Sequence, residues 1–319
     1  MNTLLLCASH SPLLYCYAKE PADFKELQKA YKENEERVSE FDPELVVAFG
    51  SDHFNGFFLN LMPAFCVGLK AKSTNDIGGF QGKLDVPKNI AIDIVNYLRK
   101  YDIDPATSSE MTIDHGFSQT INNMCGGLNA RTVVPIFINC INEPFVPFRR
   151  TRLMGEAIGR YAKSNNKKVL FLASGGMSHH PRRYYPELDV GPPEVTAWQH
   201  SGGDHSDSLT PNEWINRLED MHHEGAEMIV RGERTAEDMR LNHKADEKFI
   251  DVLERYALKE FDGWDQYKMV ESAGIGSMEL HTWIAASAAH QAAGGGAPKL
   301  DFYSVTPELG ISTGIVHSY

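Results

Sequence analysis

Three short apolar runs, Thr3 to Ala8, Leu45 to Phe49 and Val169 to Leu172, constrain this chain more than any other feature. Each is rich in Leu, Val or Phe and too short for an ordinary helix, so each reads as a buried strand. Each also stops abruptly. Ser9-His10-Ser11-Pro12 follows the first, Gly50-Ser51-Asp52-His53-Phe54-Asn55-Gly56 the second, and Ala173-Ser174-Gly175-Gly176-Met177-Ser178-His179-His180-Pro181 the third. Pro12 disfavours helix at Ser11, and the Gly175-Gly176 pair turns the backbone sharply. A histidine is thus delivered just beyond the end of three strands, where open parallel sheets gather ligands and catalytic groups. Thr112-Ile113-Asp114-His115-Gly116-Phe117 is a fourth loop of this kind, although the segment before it is too polar to read as a strand.

Helical patterns separate these runs. Leu27, Tyr31, Val38 and Phe41 give Phe24 to Phe41 one apolar stripe, and Ile90, Ile94, Val95 and Leu98 do the same for Pro87 to Lys100. Thr151 to Lys163 reads as a third helix. Met62 to Lys70 is a further strand candidate, Asn75 to Gly82 a Gly-rich polar loop, and Thr132 to Asn139 a strand with an irregular start at Pro135. Strands alternating with helices predict an α/β fold, as one large domain or two smaller ones, without internal repeats. Residues 182–212 are rich in Pro, Gly, Ser, Asp and His and show no period, which predicts a long surface loop or lid. Asn212 to Tyr256 returns to helical spacing. Ser277 is the expected N-cap of a helix running to about Ala293, with Glu279 in its first turn. Residues 291–298 form an Ala/Gly stretch expected to be flexible, and the tail Lys299 to Tyr319 is expected to pack back onto the domain.

Charge and cysteine usage exclude several functions. The net charge of the 319 residues is −12, and no dense Lys/Arg run exists to neutralise a phosphate backbone, so nucleic acid is not an expected partner. The five cysteines are odd in number, widely spaced and never Cys-x-x-Cys, which predicts reduced thiols in a cytoplasmic protein. No apolar span approaches the ~18 residues needed to cross a bilayer, so no membrane association is expected. The sequence also lacks a His-Glu-x-x-His helix, a Gly-x-Ser-x-Gly elbow and a phosphate-binding Gly loop.

His10, His53, His115 and His179 stand out by their strand-end setting, while His205, His222, His223, His243 and His317 read as surface or structural residues. Two neutral imidazoles and one carboxylate can hold a non-haem Fe(II) with positions left open, but two histidines and an acid can equally hold Zn²⁺ in a hydrolase. Spacing alone does not choose.

Together, Ser9-His10-Ser11-Pro12, Asp52-His53-Phe54-Asn55-Gly56-Phe57-Phe58, Asp114-His115-Gly116-Phe117 and Gly175-Gly176-Met177-Ser178-His179 resemble the class III extradiol ring-cleaving dioxygenases. The likeness runs from Met1 to about His180 and resumes over Ser277 to Ala286. It implies a single catalytic α/β domain, residues 1–319, with a central mixed sheet flanked by helices. It further implies Fe²⁺ held by His10, His53 and Glu279, with His115 and His179 as the acid/base pair and Asp52 and Asp114 orienting their neighbours. The expected substrates are O₂ and a 3-substituted catechol, first of all 2,3-dihydroxyphenylpropionate or its cinnamate analogue, with a larger phenolic acid or a flavonoid-derived ring as the alternative. Family members are homo-oligomers, often tetramers or larger. The likeness lapses over Arg182 to Asn242, which leaves the substrate side chain open. A zinc hydrolase on the same ligands, or a non-catalytic protein of the Memo type, are the rival readings.

Overall fold

In the computed structural model, which describes residues 2–16 and 19–319, the three apolar runs lie side by side as parallel strands. The strands are β1 (Thr3–Ala8), β2 (Leu45–Gly50), β3 (Phe65–Gly68), β4 (Ala71–Ser73), β5 (Gly82–Lys83), β6 (Ala106–Ser108), β7 (Met111–Ile113), β8 (Val133–Ile138), β9 (Val169–Ser174), β10 (Lys299–Thr306) and β11 (Ile311–Ser318). The helices are α1 (Leu13–Cys16), α2 (Phe24–Phe41), α3 (Lys88–Arg99), α4 (His115–Cys125), α5 (Phe148–Asn165), α6 (Pro193–Ser201), α7 (Pro211–Val230), α8 (His243–Glu254), α9 (Gln266–Ala273) and α10 (Leu280–Ala293). Eight strands form one sheet in the order β10-β11-β1-β9-β2-β8-β3-β6, and β5-β4-β7 form a small second sheet. The inner four strands are parallel, whereas β11 runs antiparallel to β1 and β3 antiparallel to β8, so the sheet is mixed.

Helices cover both faces, which is why the inner strands are apolar throughout rather than alternating. Leu4 and Leu6 of β1 join Val46 and Ala48 of β2 against α2 and α4. Leu5 and Cys7 join Val47 and Phe49 against α3, α5, α8 and α10. The ends of β1, β9 and β2 are level, with Ala8 beside Ser174 and Phe49 beside Ala173. Their outgoing loops therefore share one rim.

The approach of α10 to α5 is set by two glycines. A Cβ at Gly155 would lie 2.2 Å from the Ala285 carbonyl oxygen, and one at Gly159 would lie 2.0 Å from that of Ala289. Thr282 Oγ1 donates to the Ser174 carbonyl at 3.0 Å and Trp283 Nε1 to the Gly175 carbonyl at 3.1 Å, which fixes the start of α10 on the loop after β9.

Several expectations are corrected. His115 is not on a loop: short β7 precedes it, and Asp114 accepts from the Gly116 amide at 2.8 Å, capping α4 of which His115 is the first residue. Ser277 does not cap α10. Its hydroxyl turns back to the Gly274 carbonyl at 2.7 Å inside a 3₁₀ turn, Ile275–Glu279, so Glu279 ends that turn and leads into the helix. β8 starts regularly at Val133. Pro135 is tolerated because the β3 ladder pairs no further back than Ile136.

Residues 182–212 are not a loop throughout, since they contain α6. Trp198 of α6 stacks on Trp214 of α7 with centroids 5.3 Å apart and donates to the Phe54 carbonyl at 2.8 Å. Tyr184, Tyr185 and Leu218 complete this aromatic cluster. In the stretch 291–298, α10 continues to Ala293, and the Gly296 amide donates to the Tyr319 carbonyl at 2.8 Å. The tail packs back as β10 and β11, beside β1. No described helix is long and apolar enough to cross a membrane.

Candidate active site

The rim gathers the four loop histidines. His10 and His53 follow β1 and β2, His179 follows β9, and His115 opens α4; all four line one cleft. The Nε2 atoms of His10 and His53 each lie 3.4 Å from the same oxygen of Glu279, Oε1, while Nε2 of His179 lies 4.0 Å from Oε2. His53 and His115 stack with centroids 4.2 Å apart. His10 meets both edge-on, at 5.5 and 5.4 Å.

Each side chain is held from behind. Asp114 Oδ2 accepts from the His53 amide at 2.6 Å, from Asn55 Nδ2 at 3.0 Å and from His53 Nδ1 at 3.3 Å. Asp52 accepts from the amides of Asn55, Gly56 and Phe57 at 3.0–3.1 Å, which shapes the loop that carries His53. His10 Nδ1 contacts Ser174 Oγ at 3.0 Å, and Ser174 in turn contacts Thr120 Oγ1 at 2.6 Å. His179 Nδ1 donates to the Met177 carbonyl at 2.9 Å. Its ring is flanked by Gly276, where a Cβ would come within 2.2 Å of it. Glu279 accepts from Ser51 Oγ at 2.5 Å and from the Gly176 amide at 2.6 Å.

The donor set fits a cation. With Nδ1–H given to Asp114, a neutral His53 presents the bare lone pair of Nε2 to a carboxylate oxygen. Two acceptors at that separation need positive charge between them. Burial opposes charge on His53, yet Asp114 and then Glu279 hold its pKa well above the usual imidazole range. Burial likewise opposes charge on Glu279, yet His10 and His53 hold its carboxyl well below the usual range. Either a proton or a metal ion satisfies the cluster, and a metal also accepts the lone pair of His10. Ring nitrogens of His10, His53 and His115 lie within 4.8 Å of one another, so His115 borders the same ion position.

His115 has a partner that the sequence did not single out. Asp76, from the loop between β4 and β5, contacts its Nδ1 directly. Burial, then the neighbouring Asp114, pushes the Asp76 carboxyl well above its ordinary pKa, and burial pushes His115 well below its own. The sequence did not single out Tyr185 either, and it read His222 as a surface or structural residue. Tyr185 lies 5.5 Å from His53 with its buried hydroxyl unpartnered among the described residues, and His222 is buried in the cleft wall, stacked on Tyr184. The one available signal for Asp76 was an acid beside the Gly78-Gly79 pair.

The model of the family described as the catalytic LigB subunit of aromatic ring-opening dioxygenase matches residues 4–308. The chain belongs to this family. This ring-opening dioxygenase is 39% identical over 305 residues to a 2,3-dihydroxyphenylpropionate/2,3-dihydroxicinnamic acid 1,2-dioxygenase of Rhodococcus rhodochrous, covering 95% of this chain and 93% of that one. Dioxygenases of the same name from Mycolicibacterium gilvum and Pseudomonas putida are 38% and 36% identical, over 305 and 312 residues. The alignments cover 96% and 97% of this chain, and 94% and 96% of the relatives. The rival hydrolase and binding-protein readings give way to ring-opening dioxygenase chemistry.

Proposed function

We propose that this dioxygenase uses Fe²⁺, held by His10, His53 and Glu279, to cleave 2,3-dihydroxyphenylpropionate or its cinnamate analogue beside the hydroxyl pair. The observation that carries the proposal is the convergence of His10 Nε2 and His53 Nε2 on one oxygen of Glu279, at 3.4 Å each. Two imidazoles and one carboxylate leave other positions of an ion free. Bound iron would supply a centre that both catechol oxygens and O₂ can reach together.

The side chains supply the proton chemistry. A catechol must lose at least one proton to bind as an anion. Met177 can only accept from His179 Nδ1, so in the neutral ring Nε2 is the free acceptor. This supports His179 as the base. The Asp76–His115 pair shares a buried proton, and its direct contact supports His115 as the group that returns one while the ring carbon–carbon bond opens. Asp114 and Asp52 keep His53 and its loop in register. Tyr184 and Tyr185 line the cleft beside the histidines.

The five free cysteines support a cytoplasmic location, and the family likeness supports a homo-oligomer of four or more copies. The test is anaerobic loading with Fe²⁺, addition of 2,3-dihydroxyphenylpropionate, then admission of air while O₂ uptake and visible absorbance are followed. One O₂ consumed per catechol with a yellow dienoate product is expected. Bound iron without O₂ uptake on any catechol would refute the proposal.

A further inference from the structure

Besides the four loop histidines, the wall of this cleft includes Tyr184, His222, Arg234 and residues 309–311. The cleft is partly open to solvent. Arg234 is the arginine of this wall. Arg183 is neutralised by Glu224, Arg231 by Glu233 at 2.9 Å and Arg182 by Glu187 at 3.7 Å, while Arg217 donates to the Tyr184 backbone carbonyl at 2.8 Å. Among the described residues, no carboxylate lies within 4.0 Å of the Arg234 guanidinium. Asp238, the next acid along its segment, is turned to the amide and hydroxyl of Thr235 at 2.8 Å each.

Instead, Arg234 Nη1 donates to the Tyr184 hydroxyl at 2.8 Å, and the guanidinium sits 5.5 Å from the Tyr184 ring centroid. A tyrosine oxygen that accepts from arginine still has its own proton to give. Guanidinium and phenol together thus present several donors and no acceptor to the cleft. The room they occupy is reserved by Gly225, inside α7, where a Cβ would lie 2.6 Å from Tyr184 Oη and 2.8 Å from Arg234 Nη1. Glycine is the costly choice in a helix interior, and this close approach accounts for it. Tyr184 stacks on His222 with centroids 3.7 Å apart and an interplanar angle of 10°. His222 donates Nδ1–H to the Leu218 carbonyl at 2.7 Å, so the tyrosine is held rigidly.

We propose that Arg234 and the Tyr184 hydroxyl form a carboxylate subsite, which selects catechols carrying a short acid side chain next to the diol. The inference rests on the ring-cleaving reading for its substrate, and on the cleft geometry for its location. The ring would lie among the four histidines, and the side chain would point to Arg234 and Tyr184. A planar guanidinium matches a carboxylate, and a charged hydrogen bond in a partly buried cleft is a strong discriminator.

The test compares 2,3-dihydroxyphenylpropionate with the neutral 3-propylcatechol on the iron-loaded full chain. In Arg234→Met, the ratio of kcat/KM for the acid to that for the neutral compound is expected to fall about ten- to hundredfold, chiefly through KM. Arg234→Lys should recover part of it. Arg231→Met is the control for general charge. A ratio that stays within about twofold in Arg234→Met, or falls as far in the control, overturns the subsite. Calorimetric binding of 3-phenylpropionate, which has no diol to oxidise, judges the subsite separately from catalysis. If the wild type opens no catechol, the ring-cleaving reading fails. The subsite stands only if 3-phenylpropionate still binds and Arg234→Met weakens it about tenfold or more; equal binding by both proteins overturns it.

Discussion

Glu279 is buried and faces two imidazole nitrogens with one oxygen, so its charge is tolerable only with a cation beside it. Glu279→Gln, His10→Ala and His53→Ala are therefore expected to lower metal affinity by more than the ~10–100-fold typical of losing a supporting hydrogen-bond partner, read as iron per chain after desalting. If His115 and His179 serve as the proposed acid/base pair, His115→Ala and His179→Ala should keep their iron and lose about 10²–10⁴ in kcat. Asp76→Asn separates orientation from proton transfer. It preserves the shape of the contact with His115 but removes the titratable carboxyl proton, so kcat should fall about 10–100-fold at unchanged iron content, with a displaced pH–rate profile. An unchanged profile would remove Asp76 from the site. The histidines were legible in the sequence because a polar residue just past a buried strand has few structural reasons to be there. Asp76 was not legible, because it reaches His115 from a loop thirty-nine residues away that resembles any Gly-rich turn.

Elements whose apolar residues face one partner were legible in the sequence, and α2 has the bounds that its stripe predicts, Phe24–Phe41. The α6 segment was hidden for the opposite reason. Its buried residues, Val195, Trp198 and Gln199, make a single helical repeat, and one of them is a polar residue whose Nε2 donates to the Pro186 carbonyl at 2.9 Å. The start of α10 was misread at Ser277 because a serine hydroxyl serves a turn as readily as a cap. Packing between α5 and α10 was equally silent in the periodicity. It predicts that Gly159→Ala, although favoured by helix propensity, destabilises the protein by about 1–3 kcal/mol through collision with the Ala289 carbonyl. Thermal denaturation should show a drop of several degrees. Gly263→Ala, where a Cβ would meet nothing within 4 Å, is the control.

At the scale of the whole molecule, buried neutral histidines set the response to acid. Burial pushes His222 down to about 3 and His290 down to about 4. Between pH 6.5 and about 4, the unfolded chain takes up protons at these positions that the folded chain refuses, so stability is full above that window and falls as pH falls through it. Each histidine adds up to about 1.4 kcal/mol per pH unit, and His290→Gln should remove its share of the slope in urea titrations at pH 7 and 5. The pairing of β1 with β9 on one side and β11 on the other has a further consequence. Order of synthesis and order of assembly are opposed. β1 leaves the ribosome before the other strands of its sheet, and at ordinary elongation rates β11 follows roughly 15–60 s later. Ser9 of the His10 loop needs that late strand too, for it exchanges hydrogen bonds with Gly314 at 3.0 and 2.9 Å. Until β9 is made this apolar strand has two open edges, and until β11 is made it has one, each a template for wrong pairing. The yield of folded enzyme in a cell thus depends on what guards its oldest strand.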